Sequence, residues 1–173
     1  VHEAVTLLDR AGRHDVVVNV QGDLPLIDPA AIRAVLAPLA DPAVEIATLA
    51  AVIADPAELA APSVVKVAAG FAPGAASARA LYFSRLPVPF GAGEHYHHIG
   101  LYAFRRAALE RFVALPRGVL EMRESLEQLR ALAAGMRIEV ALVDSVPLGI
   151  DTPEDLAQAR ALVSDRRAAP SRP

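Results

Sequence analysis

Apolar residues at Ala4, Val5, Leu7, Leu8 and Ala11 fall at helical spacing, and the pattern stops at Gly12. The run from Val16 to Val20 is nearly continuous and β-branched, which predicts a strand buried on both faces. Asp28 followed by Pro29 is an N-cap with proline at the first helical position, and that helix is expected to reach about Leu39, before Asp41-Pro42 breaks it. Glu45–Ile53, Val64–Ala68, Arg79–Phe83, His98–Phe104 and Ile138–Val143 are further strand candidates, and Asp55-Pro56 restarts a short helix. Residues 107–115 are helical. The most regular helical pattern runs from Leu120 to Ala134 and is closed by Gly135. Thr152-Pro153 opens a last helix, and past Val163 the chain turns charged and proline-rich. Strands alternating with helices predict an α/β domain over 1–163 around a mostly parallel sheet, with a disordered tail at 164–173. The segment "RLPVPFGAG" at 85–93 holds two prolines and two glycines, so it should be an extended arm or loop.

Composition narrows the chemistry. Of the 173 residues 54% are hydrophobic, but much of that is alanine, so the apolar volume is smaller than the fraction implies. No cysteine is present, which excludes disulfides, thiol catalysis and thiolate metal sites. A net charge of −3 and a pI near 5.9 give no basic footprint for nucleic acid. No apolar stretch approaches the ~20 residues of a membrane span, and the first residues lack the features of a signal peptide. A soluble cytoplasmic protein is expected. There is no glycine-rich phosphate loop.

Several polar residues stand where chemistry could occur. Asp23 lies just past the end of the first strand, in "NVQGDLPLI", where open α/β sheets bind ligands. It could hold a hard cation such as Mg²⁺ or simply cap a turn. Asp151, in "PLGIDTPEDL", again follows an apolar stretch and precedes a helix, and it could be a second cation ligand or an acid beside a helix N-terminus. "HYHHIG" collects His95, His97 and His98 and leaves a zinc reading open, although neighbours on a strand point to opposite faces. His98, Gly100 and Tyr102 share one strand face. On a single helix, Glu124, Glu127 and Gln128 would share a face that is either solvated or able to bind sugar hydroxyls. Arg85, after "LYFS", could grip a carboxylate or phosphate, or lie at the surface beside a loop.

Taken in order, "VVVNVQGDLPLI", "ATLA", "VVKV", "ALYFSRLPVPF", "HHIGLYAFRR", "LEMRESLEQLRAL" and "GIDTPEDL" resemble the 3-deoxy-manno-octulosonate (Kdo) cytidylyltransferases, or CMP-Kdo synthetases. The resemblance implies a Rossmann-like nucleotide-diphospho-sugar transferase fold with a mostly parallel mixed sheet and flanking helices. It also implies transfer of CMP from CTP to Kdo, releasing pyrophosphate, for lipopolysaccharide synthesis. By position, Asp23 and Asp151 match the Mg²⁺ ligands. Arg85, His98, Tyr102, Glu127 and Gln128 match the Kdo-binding set, and Gln21 lies beside Asp23 in the pocket. The segment after Arg85 is similar to a dimerisation region, so a homodimer is expected.

The departures are specific. His97 replaces a basic residue, Ser63 replaces an asparagine, and the loop before the histidines is short. The family's opening strand and its basic phosphate-holding loop have no counterpart, and Lys66 is the only lysine. The resemblance therefore implies an N-terminally incomplete domain with little catalysis by these residues alone. The competing reading is a non-catalytic sugar-binding or dimerisation paralogue.

Overall fold

The computed structural model describes residues 1–150 and 152–168. Six strands form one sheet: β1 (Val16–Asn19), β2 (Ile46–Val52), β3 (Lys66–Ala69), β4 (Ser77–Ser84), β5 (Tyr96–Arg105) and β6 (Ile138–Leu142), in the order β1-β5-β2-β6-β4-β3. The fold class is as expected, a mixed α/β sheet with flanking helices, but the expected predominance of parallel pairing is not found. Among the described strands only β2–β6 pair parallel. β1, β2, β3 and β6 do share one direction, with β4 and β5 inserted between them in reverse. The connection from β1 to β2 is long enough to step over one strand, and β5 fills that space. β3 and β4 are joined by a short loop, which allows only antiparallel pairing. The sheet also curls, so that Lys66 of β3 pairs with His97 of β5.

The helices are α1 (His2–Leu8), α2 (Pro29–Leu36), α3 (Pro56–Ala60), α4 (Arg106–Ala114), α5 (Val119–Glu124), α6 (Gln128–Ala133) and α7 (Pro153–Ala168), with a 3₁₀ turn over Ala37–Ala40 after α2. Asp28 and Asp55 cap α2 and α3 as their spacing predicts, each carboxylate accepting a main-chain N–H two residues on. α1 stops at Leu8 rather than near Gly12 because the Asp9 carboxylate takes the N–H groups of Arg13 and His14, at 3.0 Å each, and binds the Arg106 guanidinium. α7 continues to Ala168, past the point where the sequence pattern predicts a tail, and residues 169–173 lie outside the described residues.

One core lies on each face of the sheet. Val35, Leu39, Val44, Leu49, Ile99 and Leu101 pack under α2. Ile46, Phe83, Tyr102, Phe104, Leu129 and Ile138 pack on the side of α4 and α6. Alternation along β2 and β5 assigns their residues to the two sides, with even-numbered positions facing α4 and α6.

The predicted helix over 120–134 is two helices. Ser125 sits between them in the left-handed region, at φ 55° and ψ 47°. Arg85 explains the break. Its Nε donates to the Glu124 carbonyl (2.8 Å) and its Nη2 to the Ser125 carbonyl (3.4 Å). In an unbroken helix those carbonyls would serve the residues four positions on. The Glu124 carboxylate is turned inward as well, accepting from Tyr82 and Ser84 hydroxyls and from the Arg85 main-chain N–H. Glu124, Glu127 and Gln128 therefore do not share one helical face.

Candidate active site

Past the end of β1 the chain makes a tight turn, with the Leu24 N–H donating to the Gln21 carbonyl at 3.2 Å. Gly22 and Asp23 occupy the corners. The Asp23 side chain is exposed, and its carboxylate accepts no hydrogen bond from the described residues. Asp9, Asp28, Asp41 and Asp55 all cap nearby main-chain N–H groups, so the turn-capping reading does not describe Asp23. Its carbonyl accepts the N–H of Ile150 at 2.9 Å, which ties the segment before Asp151 to this turn. Asp151 itself lies outside the described residues.

A cleft runs from this turn across the end of the sheet. One recess, of about 460 Å³, is lined by Gln21, Asp23, Ser63, His98 and Gly100 among others. A second, of about 190 Å³, adds Tyr102, Glu127 and Gln128. Tyr102, Glu127 and Gln128 also border a third, more apolar recess of about 220 Å³ against α4. Six of the eight residues assigned from the sequence thus line one continuous surface, Asp151 being undescribed and Arg85 elsewhere.

Each element gives its side chain a defined setting. The pairing of β2 with β5 shifts register between Thr48 and Leu49, leaving Gly100 and Leu101 as a bulge. A Cβ at Gly100 would lie 3.0 Å from Gln21 Nε2, so the absence of a side chain there lets the Gln21 amide lie against the strand. His98 and Tyr102 flank the bulge on the same face. The His98 ring is buried beside Phe83 and Tyr102, with centroids at 4.8 and 5.5 Å, and its Nε2 meets Thr48 Oγ1 at 3.0 Å. Burial, helped by the neighbouring His97, lowers its pKa to about 3, so the ring is neutral at pH 7. Burial and the nearby Glu127 charge push the Tyr102 phenol well above its ordinary value, so it keeps its proton. Gln128 is buried, whereas Glu127 is exposed at the cleft rim.

Arg85 is not part of the cleft. Besides Glu124 and Ser125 it binds the Pro62 carbonyl at 3.0 Å, and it lines neither recess beside Asp23 and His98. Here it clamps three main-chain carbonyls. The His97 ring meets the Glu58 carboxylate through its Nδ1. Lys66 is fully buried and donates to the carbonyls of Ala61, Val64 and Arg85 at 2.7–2.9 Å. The histidines of "HYHHIG" do not converge: His95 bonds the Pro89 carbonyl, His97 Glu58 and His98 Thr48. No cluster of three or more metal-type side chains occurs among the described residues. Sequence reasoning missed Thr48, although one polar residue inside the buried run Ile46–Ala51 was a readable signal.

The apo form of a UDP-glucose pyrophosphorylase shares the fold at a TM-score of 0.65 and 12% identity, over 96% of this chain and 60% of that one. The profile of the cytidylyltransferase family matches residues 1–138, and the chain belongs to that family. Within it, the chain groups with the 3-deoxy-manno-octulosonate cytidylyltransferases. It is 64% identical over 163 residues to the one from Paramagnetospirillum magneticum, and 63% over 169 residues to the one from Rhodospirillum centenum. Those alignments take in 94% and 98% of this chain, and the chain spans 66% of the length of either relative. The solved structure of CMP:2-keto-3-deoxy-manno-octonic acid synthetase complexed with CTP superposes at a TM-score of 0.84. It is 36% identical, over 95% of this chain and 68% of that one.

Proposed function

We propose that this chain carries the sugar- and cation-binding part of an enzyme that transfers CMP from CTP to Kdo, giving CMP-Kdo and pyrophosphate. The observation that carries the reading is the cleft, which collects Gln21, Asp23, His98, Tyr102, Glu127 and Gln128 from three separate stretches of sequence. The named relatives support the same assignment.

In this reading the sugar's anomeric oxygen bonds to the α-phosphorus of CTP as the bond to the β-phosphate oxygen breaks, and the hydroxyl proton is released. The Glu127 carboxylate accepts sugar hydroxyls, and the Gln128 and Gln21 amides both donate and accept. Tyr102 offers an O–H, and neutral His98 reads the sugar without adding charge. The free, exposed carboxylate of Asp23 fits a hard divalent cation, which takes one or two carboxylates with phosphate oxygens and water. Asp23 and Asp151 would hold Mg²⁺. When bound, the cation offsets charge on the phosphate oxygens and lowers the pKa of the attacking hydroxyl. Asp23 then has two tasks: its side chain lines the cleft, and its carbonyl fixes the approach of Ile150.

We assign the reaction to the cytoplasm, with the product supplying Kdo for lipopolysaccharide. Among the described residues no helix is long and apolar enough to cross a membrane. The loop after Arg85 exposes Leu86 and Phe90 fully enough to act as the contact between two copies of the chain.

Two measurements test the proposal. Calorimetry of this chain should show Kdo binding that is lost in Glu127→Ala. Pyrophosphate release from CTP and Kdo should appear when the chain is completed to the length of its relatives, and should fall at least about 100-fold in Asp23→Asn. Absence of release from the completed protein would sink the assignment.

A further inference from the structure

Thr48 is fully buried in the middle of β2, on the face that carries His98 and Tyr102. Its hydroxyl oxygen lies 3.1 Å from the Ile99 carbonyl, 3.0 Å from the Leu101 carbonyl and 3.0 Å from His98 Nε2. A hydroxyl has one proton and two lone pairs. Neither carbonyl can donate, so the proton serves them and the oxygen is left to accept. Nε2 must then carry the hydrogen. Donation from Thr48 to Nε2 would instead withdraw that single proton from two carbonyls at the bulge, both on buried residues.

The other ring nitrogen completes the argument. Nδ1 has no hydrogen-bond partner among the described residues, and it is not sealed from solvent as an orphaned buried atom would be. His98 lines both recesses of the cleft. We infer that Thr48 is a positioning residue which locks His98 in the Nε2–H form, presenting Nδ1 to the cleft as an acceptor for a ligand hydroxyl. This rests on the proposed sugar-binding reading, and it assigns that site's histidine a sense of recognition: it selects a donor group and rejects a carboxylate or phosphate oxygen.

The test is ¹⁵N NMR of the histidine-labelled chain at neutral pH. Wild type and Thr48→Ser should both give the Nε2–H signature for His98. Thr48→Val should give a mixture of the two tautomers and bind Kdo roughly tenfold more weakly. Adding Kdo to wild type should move the Nδ1 resonance and leave the Nε2 resonance near its starting position. An Nδ1–H signature in free wild type overturns the inference, as does an Nδ1 resonance unmoved at saturation. If Thr48→Val does not fold, wild type and Thr48→Ser still decide the tautomer. If Kdo produces no change anywhere in the spectrum, the functional reading fails, and the ligand-free spectra judge the role of Thr48 separately.

Discussion

Acidifying the protein should cost stability through His98. The ring is buried among Phe83, Tyr102 and Thr48, and its pKa falls from 6.5 to about 3. The folded value lies below the unfolded one, so the unfolded chain binds the proton first. The contribution of neutral His98 is complete above about pH 6.5 and is lost progressively as pH falls toward 3. Each unit of that interval is worth roughly 1.4 kcal/mol, so going from pH 7.5 to 4.5 should remove about 3 kcal/mol. Charged groups nearby do not reverse the sign. The neighbouring His97 acts in the same direction as burial on the His98 ring, and Glu127 and Asp23 lie toward solvent at the cleft. Asp9 and Glu121 also have lowered pKa values, so their contributions are present above the carboxylate range and fade only at the acid end. The assay is urea denaturation at half-unit pH steps, for wild type and His98→Gln. Glutamine keeps an amide donor for Thr48 but does not titrate. The slopes matter, since the substitution also changes the level. The wild-type curve should fall more steeply between pH 6.5 and 4.5, by about 2 kcal/mol in total. Parallel curves over that range would refute the reasoning.

Arg85→Ala should destabilise the fold by about 2–3 kcal/mol in urea, because it strips a charged donor from three carbonyls at a turn. A variant as stable as wild type that had lost only Kdo affinity would return Arg85 to the ligand. Lys66→Met should cost at least about 3 kcal/mol by the same measurement, since the carbonyls of Ala61, Val64 and Arg85 would be left without their donor. Gly100→Ala should weaken Kdo binding about tenfold by calorimetry while moving stability by under about 0.5 kcal/mol. The new Cβ meets only the flexible end of Gln21, which can swing out of the cleft. Phe90→Asp should shift the protein toward monomer in sedimentation velocity runs if the loop after Arg85 joins two copies.

Local signals in the sequence placed the six strands and most of the helix starts well. A nearly continuous β-branched run marked β1, an apolar run marked β2, and Asp-Pro pairs marked α2 and α3, because strand burial and N-capping are read from neighbouring residues. Pairing direction was not local in this sense. Helices between strands suggested parallel neighbours, but nothing in the spacing of β1 and β2 shows that β5, some fifty residues further on, lies between them. For the cleft, the ordered motifs brought out Gln21, Asp23, His98, Tyr102, Glu127 and Gln128. They included Thr48, in "ATLA", but not its role, which depends on a bulge in another strand.

Arg85 shows most clearly why side-chain roles resist such reading. Periodicity over 120–134 is a sound helical signal, and an arginine beside a loop is a sound anion-binding signal. The two interact in the folded chain: the guanidinium takes the carbonyls of Glu124 and Ser125, and the helix breaks there. That break starts a new helix at Gln128, burying its amide at the sheet while Glu127 stays exposed at the rim. On one continuous helix the pair would have followed the direction set by Glu124, whose carboxylate is held at the end of β4. Arg85 thus shapes the cleft from outside it, by fixing where Glu127 and Gln128 point. Loss of Kdo binding in Arg85→Ala would then accompany displacement of α6, and Arg85→Lys, a single donor centre without the planar fork, should restore little of either.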